Sequence, residues 1–146
     1  MRKRQTWFGV KTLYRQEASG KPRTRDRHYD PAVTLVEERV VLFRARSHAE
    51  AIRKAEREAS RYAASFRERN VYGQRLRNRF LGALDSFELF ENPTSGEEVF
   101  STTFLARGNV SDQRLINRRV IVPVKPNEEL KRRNFFPFGV DLSAGA

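Results

Sequence analysis

The stretch Thr34-Leu-Val-Glu-Glu-Arg-Val-Val-Leu-Phe-Arg-Ala-Arg-Ser-His-Ala-Glu-Ala-Ile-Arg-Lys-Ala-Glu56 reads as a strand that runs directly into a helix. β-Branched and aromatic density from Leu35 to Ala45 favours an extended chain. Ser47 then offers an N-cap hydroxyl, and Glu50, at the capping-box spacing, completes the pair. Beyond it Ile52, Ala55, Ala59, Tyr62 and Phe66 recur at helical spacing, one apolar stripe with small residues in its middle. A helix from His48 to about Glu68 is therefore expected, lying on a sheet to which the strand Thr34–Arg46 belongs.

Upstream, Trp7 to Gln16 alternates Phe8, Val10, Thr12 and Tyr14 on one face with Trp7, Gly9, Lys11, Leu13 and Arg15 on the other, a first strand. Between the two strands, Glu17 to Pro31 has the Ser-Gly, Lys-Pro and Asp-Pro dipeptides of an exposed loop, and it carries Arg23, Arg25 and Arg27. Downstream, Val71 to Arg79 reads as a basic connector and Phe80 to Glu91 as a third strand, with Phe80, Gly82 and Leu84 facing opposite to Leu81, Ala83, Phe87 and Leu89. Asn92-Pro-Thr-Ser-Gly96 ends it, and Val99 to Arg107 is expected to return as a fourth strand through a hairpin. Arg118 to Val124, limited by Pro123, suits a short edge strand, with a helical turn at Asn127. The expected architecture is α+β: an antiparallel sheet of four or five strands with one long helix packed on one face, in the order β-β-α-β-β. Residues 1–107 would form the core domain and 108–146 a C-terminal extension, whose Phe135, Phe136 and Phe138 would pack on the bare sheet face or on a partner.

At 146 residues, with 38% hydrophobic and 11% aromatic residues, the chain can bury a core despite a mean hydropathy of -0.71. It contains no Cys, which excludes disulfides, thiolate metal sites and cysteine nucleophiles and is compatible with a reducing cytoplasm, the expected location. Lys11 cuts short the apolar run after the basic start, so no signal peptide is expected, and no apolar run approaches the roughly 20 residues of a membrane span. The net charge of +11 and a sequence pI near 10.8 favour polyanions as partners. Because the charge is mostly Arg rather than Lys, an Arg-enriching genome composition would give the same bias.

Several segments together resemble the uncharacterised bacterial domain-of-unknown-function family 4288. These are Trp7-Phe-Gly-Val10, Tyr29-Asp-Pro31, Leu35 to Ala45 with Ser47 to Ala55, Phe80-Leu-Gly-Ala-Leu-Asp-Ser-Phe-Glu-Leu-Phe90 and Glu97-Glu-Val-Phe-Ser101. The resemblance covers about residues 7 to 107 and implies a small bacterial domain with no known activity. Residues 108 to 146 depart from it.

No Gly-rich phosphate loop, G-x-S-x-G turn or paired acidic nuclease motif is present, so neither catalysis nor a cofactor is expected. Asp26, His28 and Asp30 alternate and would share one side of an extended chain, the minimum for a metal-dependent hydrolase. A flexible loop offers them no orienting partners, and the expectation is no metal. His48 follows the N-cap and is expected in solvent; Glu37 and Glu38 point to opposite faces of their strand and are not a carboxylate pair, one of them being expected to meet Arg39 or Arg44.

The basic residues carry more. Arg53, Arg57 and Arg61 recur every fourth position opposite the apolar stripe and must point outward, their repulsion offset in part by a Lys54–Glu58 pair. Arg23, Arg25 and Arg27, Arg75, Arg77 and Arg79, and Arg118, Arg119, Arg132 and Arg133 would extend such a surface, with Trp7, Tyr14, Tyr29 and Phe135 available to stack on bases. The leading expectation is a non-catalytic module that binds nucleic acid, RNA before DNA, or a nucleoprotein assembly. The alternative is a protein-interaction module, such as an immunity or antitoxin-like subunit or an accessory component of a defence complex.

Overall fold

The computed structural model describes residues 3–100, 108–109, 111–114, 131 and 133–135. Its core is an antiparallel sheet of β1 (Thr6–Ser19), β2 (Leu35–Ala45) and β3 (Arg75–Glu88), with β1 in the centre, and one helix, α1 (His48–Ala64). The α+β class and the helix-on-sheet arrangement are as expected. Among the described residues the sheet has three strands in the order β-β-α-β. Val99 and Phe100, the start of the expected fourth strand, are not in the sheet, while residues 101–107 and 118–124, which would hold the rest of the fourth and the fifth, lie outside the described residues.

β1 alternates strictly. Phe8, Val10, Thr12, Tyr14 and Gln16 are buried on the helix face, while Trp7, Gly9, Lys11, Leu13 and Arg15 turn to the other. It runs to Ser19, three residues past the expected end, because Glu17, Ala18 and Ser19 still find partners in Arg77, Leu76 and Arg75 of β3. β3 accordingly starts at Arg75 rather than Phe80, the greater part of the expected basic connector being strand. Its faces also differ from the expectation. Relative to β1, β3 holds an extra residue at Leu84 and another at Leu81, so Phe80 and Ala83, an odd number of positions apart, both reach the helix face. Gly82, between the two bulges, takes a φ of 155° that a side chain would strain.

The helix is anchored as its cap foretells: the Ser47 hydroxyl accepts from the Glu50 amide at 3.1 Å. Glu50 in turn accepts from the amide of Arg46 at 2.9 Å, one residue before the cap. Ala51, Ala55 and Ala59 are buried outright and let the helix axis approach the sheet closely, with Ile52 and Phe43 packed at the margin of Phe8, Val10 and Ala45. The helix ends at Ala64, capped by Ser65, so Phe66 lies beyond it.

Under its C-terminal half sits a polar pillar. Arg39 of β2 forks onto Glu58 at 3.0 and 3.2 Å, donates to the Tyr14 hydroxyl at 3.1 Å, and lies 3.7 Å from the centre of the Tyr62 ring. Burial works against the Arg39 charge, but the Glu58 and Tyr14 hydrogen bonds outweigh it and leave the group more basic than usual. Glu58 is thus taken by Arg39, and Lys54 pairs with Glu50 at 3.4 Å instead of with Glu58. Glu37 accepts from the Tyr62 hydroxyl at 2.7 Å rather than meeting Arg39 or Arg44, while Glu38, on the opposite face, meets Lys11 at 3.5 Å. Burial, followed by that bond to Glu37, pushes the Tyr62 phenol up to about 12.

Candidate nucleic-acid interface

Arg53, Arg57 and Arg61 stand on the outer face of α1, all exposed, and make no ion pair with any described residue. Glu56 and Ser60 lie among them. The periodicity therefore placed this row correctly, on the solvent side of the helix.

The arginine loop and the C-terminal residues form a different object. The turn Asn70–Gln74, at the start of the expected basic connector, is buried: Asn70 is 0% exposed and Tyr72 2%. The Asn70 side chain accepts from the amides of Tyr72 and Gln74 at 3.1 and 2.9 Å and donates to Gln74 Oε1 and to the Asn134 carbonyl at 3.0 and 2.7 Å. Asn134 reaches across to accept from the Asp30 amide and to donate to the His28 and Lys131 carbonyls. Asp26 takes the Tyr72 hydroxyl at 2.6 Å and Arg133 at 2.9 Å, and Asp30 takes Lys131 at 2.6 Å. Burial raises the Asp26 carboxyl, yet the bonds from Tyr72, the His28 amide and Arg133 together hold it below its ordinary value; Lys131 does the same for Asp30, helped by the Ala32 amide. Both carboxylates are spent on holding the chain together, and among the described residues no group of three His, Asp or Glu converges on a metal position.

Most of the expected stacking residues are engaged inside the fold. Tyr14 is 0% exposed in the core, Tyr29 packs edge-on against Tyr72 with Arg25 over it, and Phe135 is 6% exposed. Phe135 is thus buried against its own chain, beside Gln74 and Pro31; Phe136 and Phe138 lie outside the described residues. Arg23 is tied in through its backbone amide to the Tyr72 carbonyl at 2.8 Å, with its stem against Gly73, and Arg27 touches the His28 ring. His48, exposed as expected, bonds Ser86 at 3.0 Å and meets the Phe8 ring edge-on, a contact for which the sequence held no signal.

The arrangement that spacing alone did not assemble is on the sheet face away from α1. Cross-strand register sets Arg15 directly opposite Arg79, Glu17 opposite Arg77 and Ser19 opposite Arg75. Four guanidinium groups thus share one patch with Glu17, the nearby Glu38 being paired with Lys11, and Arg15, Arg75 and Arg77 are exposed. Arg79 holds Glu17 at 2.8 Å; that hydrogen bond, with the charges of Arg79, Arg15 and Arg77, keeps the Glu17 carboxyl below its ordinary value against a partial desolvation. Like charges directly opposite on a sheet are unfavourable, so this patch is electrostatically unsatisfied. The period-two run Arg75-Leu-Arg-Asn-Arg79 was its signal, legible once that segment is known to be strand.

Further along the same face the side chains turn aromatic. Trp7 lies opposite Arg44, whose guanidinium is 5.8 Å from the indole, and Phe87 is opposite Gly9. The Val99 carbonyl rests directly on Gly9, where any Cβ would collide with it, and Phe100 packs near Phe87 with the Lys11 ammonium 4.8 Å from its ring. The helix row and the sheet patch thus occupy opposite sides of the sheet, and a single extended ligand cannot lie on both.

The model of the domain of unknown function (DUF4288) matches residues 7–101, so the chain belongs to that family. No curated protein and no solved structure matches it.

Proposed function

We propose that this DUF4288 domain is a non-catalytic module that binds single-stranded nucleic acid, RNA before DNA, along the sheet face opposite α1. The observation that carries the reading is the cross-strand register of Arg15, Arg75, Arg77 and Arg79 around Glu17, a cationic field on the same face as Trp7, Phe87 and Phe100, where the neighbouring Glu38 is taken by Lys11. Successive arginines on β3 are two residues apart, about 6.8 Å, comparable to the separation of successive phosphates in an extended strand. Flat sheet, aromatic rings and arginines together suit a single strand, whose bases are free to stack. The helix row, which has arginines without rings, suits backbone contact alone and is the second surface to test.

The test compares two variants, Arg15/Arg75/Arg77→Gln and Arg53/Arg57/Arg61→Gln, in salt titrations with a labelled single-stranded RNA. Three lost phosphate contacts on a single strand flatten the log–log salt slope by about 2 units. The sheet variant should show that flattening and the helix variant little of it. The reverse pattern would move the interface to α1. Absence of binding in the unmutated protein at low salt would replace the reading with the protein-interaction alternative. That alternative has its own support in β2, which bounds the sheet among the described residues and exposes Val36 and Val40 by 53% and 41%.

A further inference from the structure

At the aromatic end of the open face, the start of β1, the end of β2 and the segment after β3 border an open cleft of about 760 Å³. Its walls include Arg4, Gln5, Trp7, Arg44, Phe90 and Asn92. We propose that this cleft is a nucleobase-binding site, the specificity element of the single-strand reading on which it rests.

Three features converge on a base. Phe90 is 92% exposed, the most exposed large apolar side chain described, and its one described ring contact is the T-shaped pair with Phe87, 6.3 Å between centres at 88°. An exposed ring with its other side free can take a flat stacking partner. Arg4 and Arg44 make no ion pair with any described residue and flank the ring-bearing wall, where a phosphate or a second stacked base meets a guanidinium. Gln5 and Asn92 bring amides, which both donate and accept and so can read the edge of a base, whereas an aliphatic ligand would leave them unpaired. The volume falls in the range of small-molecule sites. Glu91 at the rim is the one acid in the lining, and it disfavours a bare anion relative to a neutral base. The distance along β1 from Trp7 to Arg15 is about 27 Å at about 3.4 Å per residue, and Val99 and Phe100 lie over Gly9 and Lys11 between them, so a ligand that reaches both the cleft and the arginine field passes around that segment and spans several nucleotides, not one.

Trp7 is the only tryptophan in the chain and lines the cleft, so its fluorescence reports occupancy directly. The full chain is titrated with an end-labelled oligouridylate of about ten nucleotides, within the span that single-strand binders cover, and with an abasic phosphodiester oligomer of equal length. Both should change the anisotropy of their labels, and only the base-bearing oligomer should quench Trp7. Phe90→Ala should weaken the base-bearing oligomer roughly tenfold, as loss of one stacked base does, and leave the abasic oligomer and the salt slope unchanged. Because Phe90 is exposed, its melting temperature should not move. Equal quenching by both oligomers, or undiminished oligouridylate affinity in Phe90→Ala, would overturn the cleft while leaving the arginine interface standing. Failure of both oligomers to bind at low salt overturns the arginine interface and the cleft with it.

Discussion

Asn70→Ala should be among the most damaging single substitutions in this chain, although it removes only a small polar side chain. Asn70 satisfies two backbone donors, the amides of Tyr72 and Gln74, and these have no other partner among the described residues. Tyr72 and Gln74 are 2% and 7% exposed, so truncation strands both amides away from solvent. Each unsatisfied buried donor costs about 1–3 kcal/mol, and a water entering the vacated space recovers part of that, so the expected loss is about 3 kcal/mol. Domains of this kind hold about 5–15 kcal/mol in total. At roughly 3–4 °C per kcal/mol for a chain of this size, the melting temperature should fall by about 10 °C.

The same side chain donates to the Asn134 carbonyl, so the damage should spread to the C-terminal residues packed on the turn. Asn134→Ala keeps that carbonyl but removes the side-chain bonds to Asp30, His28 and Lys131 that hold it over the turn, and the double variant should lose less than the two single losses together, by about 1 kcal/mol, because both loosen one network. Urea midpoints give the free energies, and amide hydrogen exchange at Tyr72 and Gln74 gives an independent local reading. A loss below about 1 kcal/mol with both amides still protected would refute the argument, since it would mean that the turn does not need the Asn70 oxygen.

Two further outcomes follow from the geometry. Asp26 and Asp30 both sit below their ordinary value of 3.8 in the folded protein, so their contribution is complete above that value and is lost as the pH falls through the lower folded values. The melting temperature of Asp26→Asn/Asp30→Asn should therefore decline less steeply on acidification below about pH 4 than that of the unmutated chain, and parallel acid limbs would contradict this. Gly9→Ala should cost about 1–3 kcal/mol and release Val99 and Phe100 from the open face, seen as a lower urea midpoint and new protease cleavage near Phe100; an unchanged midpoint would show that Val99 yields freely.

What the sequence disclosed was local. The Ser47–Glu50 cap, the alternation from Phe8 to Tyr14 and the outward row of Arg53, Arg57 and Arg61 depend on residues within a few positions of one another, and all three are found in the structure. Concealed features depend on which residues the fold sets side by side. The bulges at Leu81 and Leu84 exist only relative to β1, and no pattern within β3 announces them. Val71 to Gln74 reads as the start of a basic connector, yet with Asn70 it forms a buried turn whose polar groups are used internally: the Asn70 side chain satisfies the turn's own backbone and reaches the distant Asn134. Arg39 likewise reads as a surface charge until Glu58 and Tyr62 are brought above it by the helix.

The same distinction bears on whether the positive charge is merely compositional. A bias in base composition fills exposed positions with arginine without regard to register. The fold then pairs what it can: Arg39 with Glu58, Lys54 with Glu50, Arg133 with Asp26, Lys131 with Asp30, Lys11 with Glu38. On the open face Glu17 serves Arg79, while Arg15 remains directly opposite that same arginine and Arg77 opposite that same carboxylate. Cross-strand like charges cost a few tenths of a kcal/mol each, a penalty that glutamine at position 15 would relieve. Arg15/Arg75/Arg77→Gln should therefore leave the fold as stable as before or slightly more so, while it weakens nucleic-acid binding. Opposite signs in the two measurements mark residues kept for a ligand at the expense of the fold. A variant that loses stability and affinity together would instead make these arginines part of the scaffold, their stems covering the sheet and their charge incidental.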